Sequence, residues 1–226
     1  MLGSIERATR TPKREHVDAL DTVLDTGGAL RRLWEDMHRQ RYVPDWFKDA
    51  LKLEQRAQRV SEYEPYTMPG LLQTLDYARA MMQARRTVLT AERIDQIAQA
   101  RVERLPSVHA PLLWFVVGEP VLRKVVGGET IMKEQLKYIA HLTDTGRIQL
   151  QILPLERLHP GLNLPFRILA MNDSESVVYV EHALGGEVYD APERVSETNI
   201  LFGAIQAESL PFSDSRDLLN KVIEEL

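Results

Sequence analysis

The chain has 226 residues, 44% of them hydrophobic and 27% charged, which is enough for one large core beside a smaller unit in an ordinary globular protein. A net charge of −5 argues against non-specific nucleic-acid binding by the whole chain, and the lack of cysteine excludes disulfide frameworks and thiolate metal sites. No apolar run approaches the roughly 18 residues of a membrane span and the start lacks a secretory signal, so no membrane association and a cytoplasmic location are expected.

Gly3 to Pro12 reads as the tail of a DNA-recognition helix and the turn after it, with Arg7 and Arg10 as the DNA-facing candidates. Further basic residues, Lys13, Arg14, Arg31, Arg32, Arg39 and Arg41, confine positive charge to the same end; a solvated helical face is the alternative. Val17, Leu20, Val23 and Leu24 recur at helical spacing and predict a helix over 14–24, which Gly27-Gly28 terminates. Leu30, Leu33, Trp34 and Met37 predict a second helix over 29–38. Residues 1–42 thus form a two-helix remnant of a helix-turn-helix domain, too short to hold a core alone.

Residues 43–226 form the main domain. A helix is expected over 45–54 and a strand over 57–63. Met68-Pro69-Gly70 turns into a helix from Leu71 to Gln83, and Thr90 caps a further one reaching about Arg104. Leu112 to Val117, continuously apolar, is a buried strand, and helices follow over 119–125 and 129–142. Strands over 148–153, 166–171, 177–181 and 187–189 come next, with Gly161, Asn172-Asp173 and Gly185-Gly186 as turns, before closing helices over 193–209 and 213–225. Helices, then mostly adjacent strands, then helices predict an α+β fold, helix-rich with a small mixed or antiparallel sheet.

Catalytic signatures are sparse. The three Gly-Gly pairs match no dinucleotide or phosphate loop, and the scattered histidines lack metal-ligand spacing, so no cofactor and no metal are expected. Glu119, after the buried strand, is a candidate desolvated carboxylate or simply a helix N-terminal residue favoured by the dipole. His159, in a proline-flanked loop, is a candidate acid or base, or a turn residue. Glu181 and Tyr179 share a strand face; they line a pocket if it points inward, although alternation favours Val178 and Val180 as the core face. Tyr63, Tyr66, Trp114, Phe166 and Tyr179 are candidates to line a small-molecule pocket, against an ordinary role in the core.

Several motifs hold in both order and spacing: Ser4-Ile5-Glu6-Arg7, Thr26-Gly27-Gly28-Ala29-Leu30, Pro69-Gly70-Leu71-Leu72-Gln73-Thr74, Glu119-Pro120-Val121-Leu122-Arg123, Ile152-Leu153-Pro154 and Val178-Tyr179-Val180-Glu181. Together they resemble the actinobacterial Xre-type helix-turn-helix regulators of the antitoxin-like kind, over nearly the whole chain. The resemblance implies a regulatory effector- or partner-binding domain that acts as a homodimer. Its partners would be a small-molecule effector or substrate, a small protein, or a full-length relative. The family's further helices before Ser4 have no counterpart here, so DNA binding is expected to be lost or to depend on a partner. The alternative is a cofactor-free cyclase or isomerase of specialised metabolism recruited from such a regulator, using Glu119, His159 and Glu181.

Overall fold

The computed structural model of the protein describes residue 3 and residues 12–34, 45–84, 89–157, 164–182 and 185–226. Ser4 to Arg10, with Arg7 and Arg10, the end of the expected 29–38 helix, and the His159–Gly161 turn lie outside the described residues. The chain divides into two compact units, Met1–Pro44 and Asp45–Leu226.

In the first unit, helix α1 (Arg14–Leu24) buries Val17 and Asp21. The helix ends on Asp25, which itself takes the left-handed conformation (φ 49°) ahead of the glycines. The Asp21 carboxylate accepts the Thr26 hydroxyl and the amides of Leu30 (3.1 Å) and Arg31 (2.8 Å). It therefore caps the helical segment 29–34, whose first amides have no partner within their own helix. The Trp34 indole donates to the Pro12 carbonyl at 2.8 Å and closes the pair.

The second unit begins with α2 (Asp45–Arg56) and β1 (Arg59–Glu64), followed by α3 (Leu75–Ala84), α4 (Ala91–Val102), the single turn α5 (Arg104–Ser107) and β2 (Leu112–Gly118). Then come α6 (Glu119–Arg123), α7 (Glu129–Asp144), β3 (Gln149–Leu153), β4 (Phe166–Ala170), β5 (Ser176–His182), β6 (Gly185–Tyr189), α8 (Pro192–Glu208) and α9 (Phe212–Glu225). The strands form one six-stranded sheet in the order β3-β2-β1-β4-β5-β6. Strands β1, β2 and β3 pair in parallel, joined by helical crossovers, whereas β4, β5 and β6 continue antiparallel from β1. The fold is α+β, with a mixed sheet built around β1.

Helices cover both faces, which is why β2 reads Leu-Leu-Trp-Phe-Val-Val without alternation. On one face Val60, Phe115, Val117, Leu150 and Ile152 pack with Met132, Leu136 and Ile139 of α7, spaced three and four apart, and with Leu219 and Val222 of α9. On the other, Tyr63, Val116, Phe166, Ile168 and Val178 meet Phe202 and Ile205 of α8. Gly127 (φ 71°) and Gly128 (φ 101°) make the entry to α7 in a conformation that L side chains avoid.

Two local expectations change. Residues 71–74 do not open a helix: Gly70–Leu72 is a 3₁₀ turn and Gln73 is extended, so α3 starts only at Leu75. The cause is tertiary, because buried Gln135 of α7 donates to the Leu72 carbonyl (2.7 Å) and accepts the Thr74 amide (2.7 Å), holding the chain open. Gly185 and Gly186 are not a turn but the first residues of β6. Gly186 is needed there because a Cβ would strike the Tyr179 hydroxyl.

Candidate functional site

In open sheets with parallel strands, ligands gather beyond the carboxyl ends of the strands where the strand order reverses. Here the reversal lies at β1: the crossovers step from β1 to β2 to β3, and the chain then returns to the opposite side of β1 as β4. The carboxyl end of β1, the start of β4 and the end of β5 consequently converge, with Tyr63 opposite Phe166 and Phe166 opposite Val180. A cleft opens there, lined by Glu62, Glu64, Pro165, Phe166, Arg167, Tyr179 and Glu181. Its interior is small, close to what one water molecule requires.

The floor of the cleft is a buried ionic network. Glu62, Arg167 and Tyr179 stand in register across β1, β4 and β5. Arg167 holds Glu62 in a fork, Nε to Oε2 at 2.8 Å and an Nη to Oε1 at 2.7 Å, and its other Nη reaches Glu54 of α2 at 2.6 Å. Arg104, on the turn α5, forks the same Glu54 at 3.1 and 2.5 Å. All four charged side chains are buried. Burial works to raise the Glu54 carboxyl, but Arg104 and Arg167 outweigh it and hold the group below the usual carboxylate range. The Tyr179 ring lies under the Arg167 guanidinium, 6.0 Å from centroid to Cζ. Its phenol is pushed up, chiefly by burial and then by the charge of Glu181.

Above this floor Glu64 has a different environment. Arg167 directs its hydrogen bonds to Glu62 and Glu54, while among the described residues Glu64 receives the Thr67 hydroxyl at 2.8 Å. Burial first, and the neighbouring Glu62 charge second, push its carboxyl up to about 8. Glu64 thus carries a proton at neutral pH and changes charge within the range where acid–base chemistry and cation recognition operate. Glu181 sits exposed at the rim.

The expected site residues separate into three groups. Phe166, Tyr179 and Glu181 do meet at the cleft. Tyr63 and Trp114 do not: Tyr63 packs on Phe166 at 5.7 Å on the α8 face, Trp114 packs at a tilt on Phe212 at 5.6 Å, and Tyr66 is exposed beyond β1. Val178 and Val180 face the core on the α8 side as alternation favours, and Tyr179 on the opposite face is buried too, because both sheet faces are covered. Glu119 lies at the end of β2 as a helix N-terminal residue. Burial tends to raise its carboxyl, but Arg123 (2.5 Å) and the Leu155 amide (3.1 Å) hold it below the usual range, the opposite of a proton donor.

Glu54, Glu62, Glu64, Arg104 and Arg167 escaped sequence reasoning. A sequence signal existed for one pair: Glu62 and Glu64 fall at strand spacing with buried Val60 and so had to share an inward face. Among the described residues, no group of three or more His, Asp or Glu is placed to hold a metal ion, and no helix is long and apolar enough to cross a membrane.

No curated protein and no solved structure matched the chain. Residues 47–221 match the domain of unknown function DUF5753, and the chain belongs to that family.

Proposed function

We propose that this chain is the regulatory, ligand-binding part of a cytoplasmic Xre-type transcriptional regulator, and that its cleft receives the ammonium group of a small amine or of a partner's side chain. The observation that carries this reading is the pairing pattern of the cleft: its lining arginine, Arg167, is engaged by Glu54 and Glu62, while Glu64 and Glu181 add further carboxylates at the opening. An ammonium is about the size of a water molecule, suits the small interior, and brings three donors and the missing positive charge. Calorimetric titration with butylammonium chloride at pH 8.5, against tetramethylammonium as a donor-free control, tests it. Saturable binding of butylammonium that Glu64→Gln and Glu181→Gln weaken supports the reading; equal heats for the two cations, or binding indifferent to both substitutions, overturns it. A second reading, a cofactor-free cyclase or isomerase, is favoured by one observation, the carboxyl of Glu64 poised near 8. It moves the acid–base role from Glu119 to Glu64.

A further inference from the structure

Helix α2 is the first element of the second unit, and the first unit ends at Pro44, one residue before it. Near its last turn it delivers Glu54, fully buried, into the network beneath the cleft, and two arginines from separate elements converge on that carboxylate. One of them, Arg167, also lines the cleft, and its guanidinium is shared between Glu54 and Glu62. The two carboxylates thus compete for one cation, and whatever draws Arg167 towards the opening draws it from α2.

We propose that the Glu62–Arg167–Glu54 relay couples the charge at the cleft to the docking of α2, so that a negative charge added beside Glu62 loosens the helix. The groups facing that position are Glu62 on the same strand, Thr67 beyond it, Arg167 on β4 and Glu181 on β5. Tyr63 of β1 and Tyr77 of α3 also feel the charge of Glu64, while Tyr179 stands between Glu181 and Arg167. When Glu64 is protonated, Glu62 and Glu54 divide Arg167. When Glu64 ionises, two adjacent carboxylates pull on the guanidinium, and Glu54 is left to Arg104 in a site where a buried anion depends on every partner. A cation in the cleft cancels the added charge and restores the clamp. Occupancy would in this way reach the helix that leads back to the first unit.

The proton is itself the probe, so the outcome does not depend on an amine ligand being found. Amide exchange of residues 50–56, corrected for its intrinsic pH dependence, is compared with that of residues 132–142 in α7 at pH 6.5 and 9. The relay predicts that protection of α2 relative to α7 falls at least about fivefold, the lower end of ordinary coupling between sites. Glu64→Gln, which cannot ionise and keeps an acceptor for Thr67, abolishes that fall. A ratio unchanged with pH in the native protein, or an equal fall in Glu64→Gln, overturns the proposal. Glu54→Gln provides the converse: α2 exchanges faster at both pH values, with no remaining pH effect. A pH effect that survives in this variant also overturns the relay.

Discussion

Replacing Glu54 by Gln keeps the shape of the side chain and removes its charge from a place with no access to water. Glu54, Glu62, Arg104 and Arg167 form a neutral quartet, so the variant leaves one buried positive charge uncompensated. Breaking a buried pair from one side costs about 3–5 kcal/mol, a large part of the roughly 5–15 kcal/mol that holds a typical domain together. For a unit of this size each kcal/mol corresponds to roughly 2–4 °C, so the midpoint of thermal unfolding should fall by about 6–20 °C. Arg104→Met leaves the opposite imbalance and should also destabilise. The double variant Glu54→Gln, Arg104→Met retains a neutral pair, the fork between Arg167 and Glu62, and should cost less than the two single losses added, by about 1–3 kcal/mol. Urea unfolding of the four proteins, compared at equal slope, measures this. A loss under about 1 kcal/mol in Glu54→Gln, or strict additivity in the double variant, would refute the idea that the quartet acts as one unit.

Stability should also report on Glu64. Its carboxyl is raised from 4.5 to about 8, so the fold favours the protonated form; the stabilisation is complete below about 4.5 and disappears as pH rises through about 8. Unfolding free energies of the native protein minus those of Glu64→Gln should decline across that window, by roughly 1.4 kcal/mol per unit of pH at most, and a flat difference would exclude the raised carboxyl. Glu54 has the opposite sign: its carboxyl is depressed, so its contribution is present above the ordinary carboxylate range and vanishes on acidification. Gly118→Ala should destabilise by about 1–3 kcal/mol, because a Cβ there strikes the Pro65 carbonyl where β1 and β2 leave the sheet together; unchanged thermal unfolding would count against that contact.

The elements that depend on neighbours in sequence were legible. Helix α1, the buried strand β2 and the Thr90 cap of α4, whose hydroxyl accepts the Arg93 amide at 3.3 Å, follow from apolar spacing and capping chemistry within a few residues. So do the four late strands and the closing helices, and with them the α+β class. Where a residue from afar intervenes, local reasoning failed. Gln135, more than sixty positions away, denies residues 71–74 a helix, and coverage of both sheet faces buries Tyr179 as well as the Val178 face that alternation favours.

The cleft shows the same division. The identities of Glu62 and Glu64 and their shared strand face are properties of the sequence, because side chains two apart in a strand must point the same way. That Arg167 lies between Glu62 and Tyr179, and that Glu54 and Arg104 close the network from α2 and α5, required the sheet order and the packing of α2. These partners lie 50 to 113 positions apart along the chain. The charge state of Glu64 was decided there as well: a carboxyl's pKa is set by the water and charges around it, and both are properties of the folded surroundings.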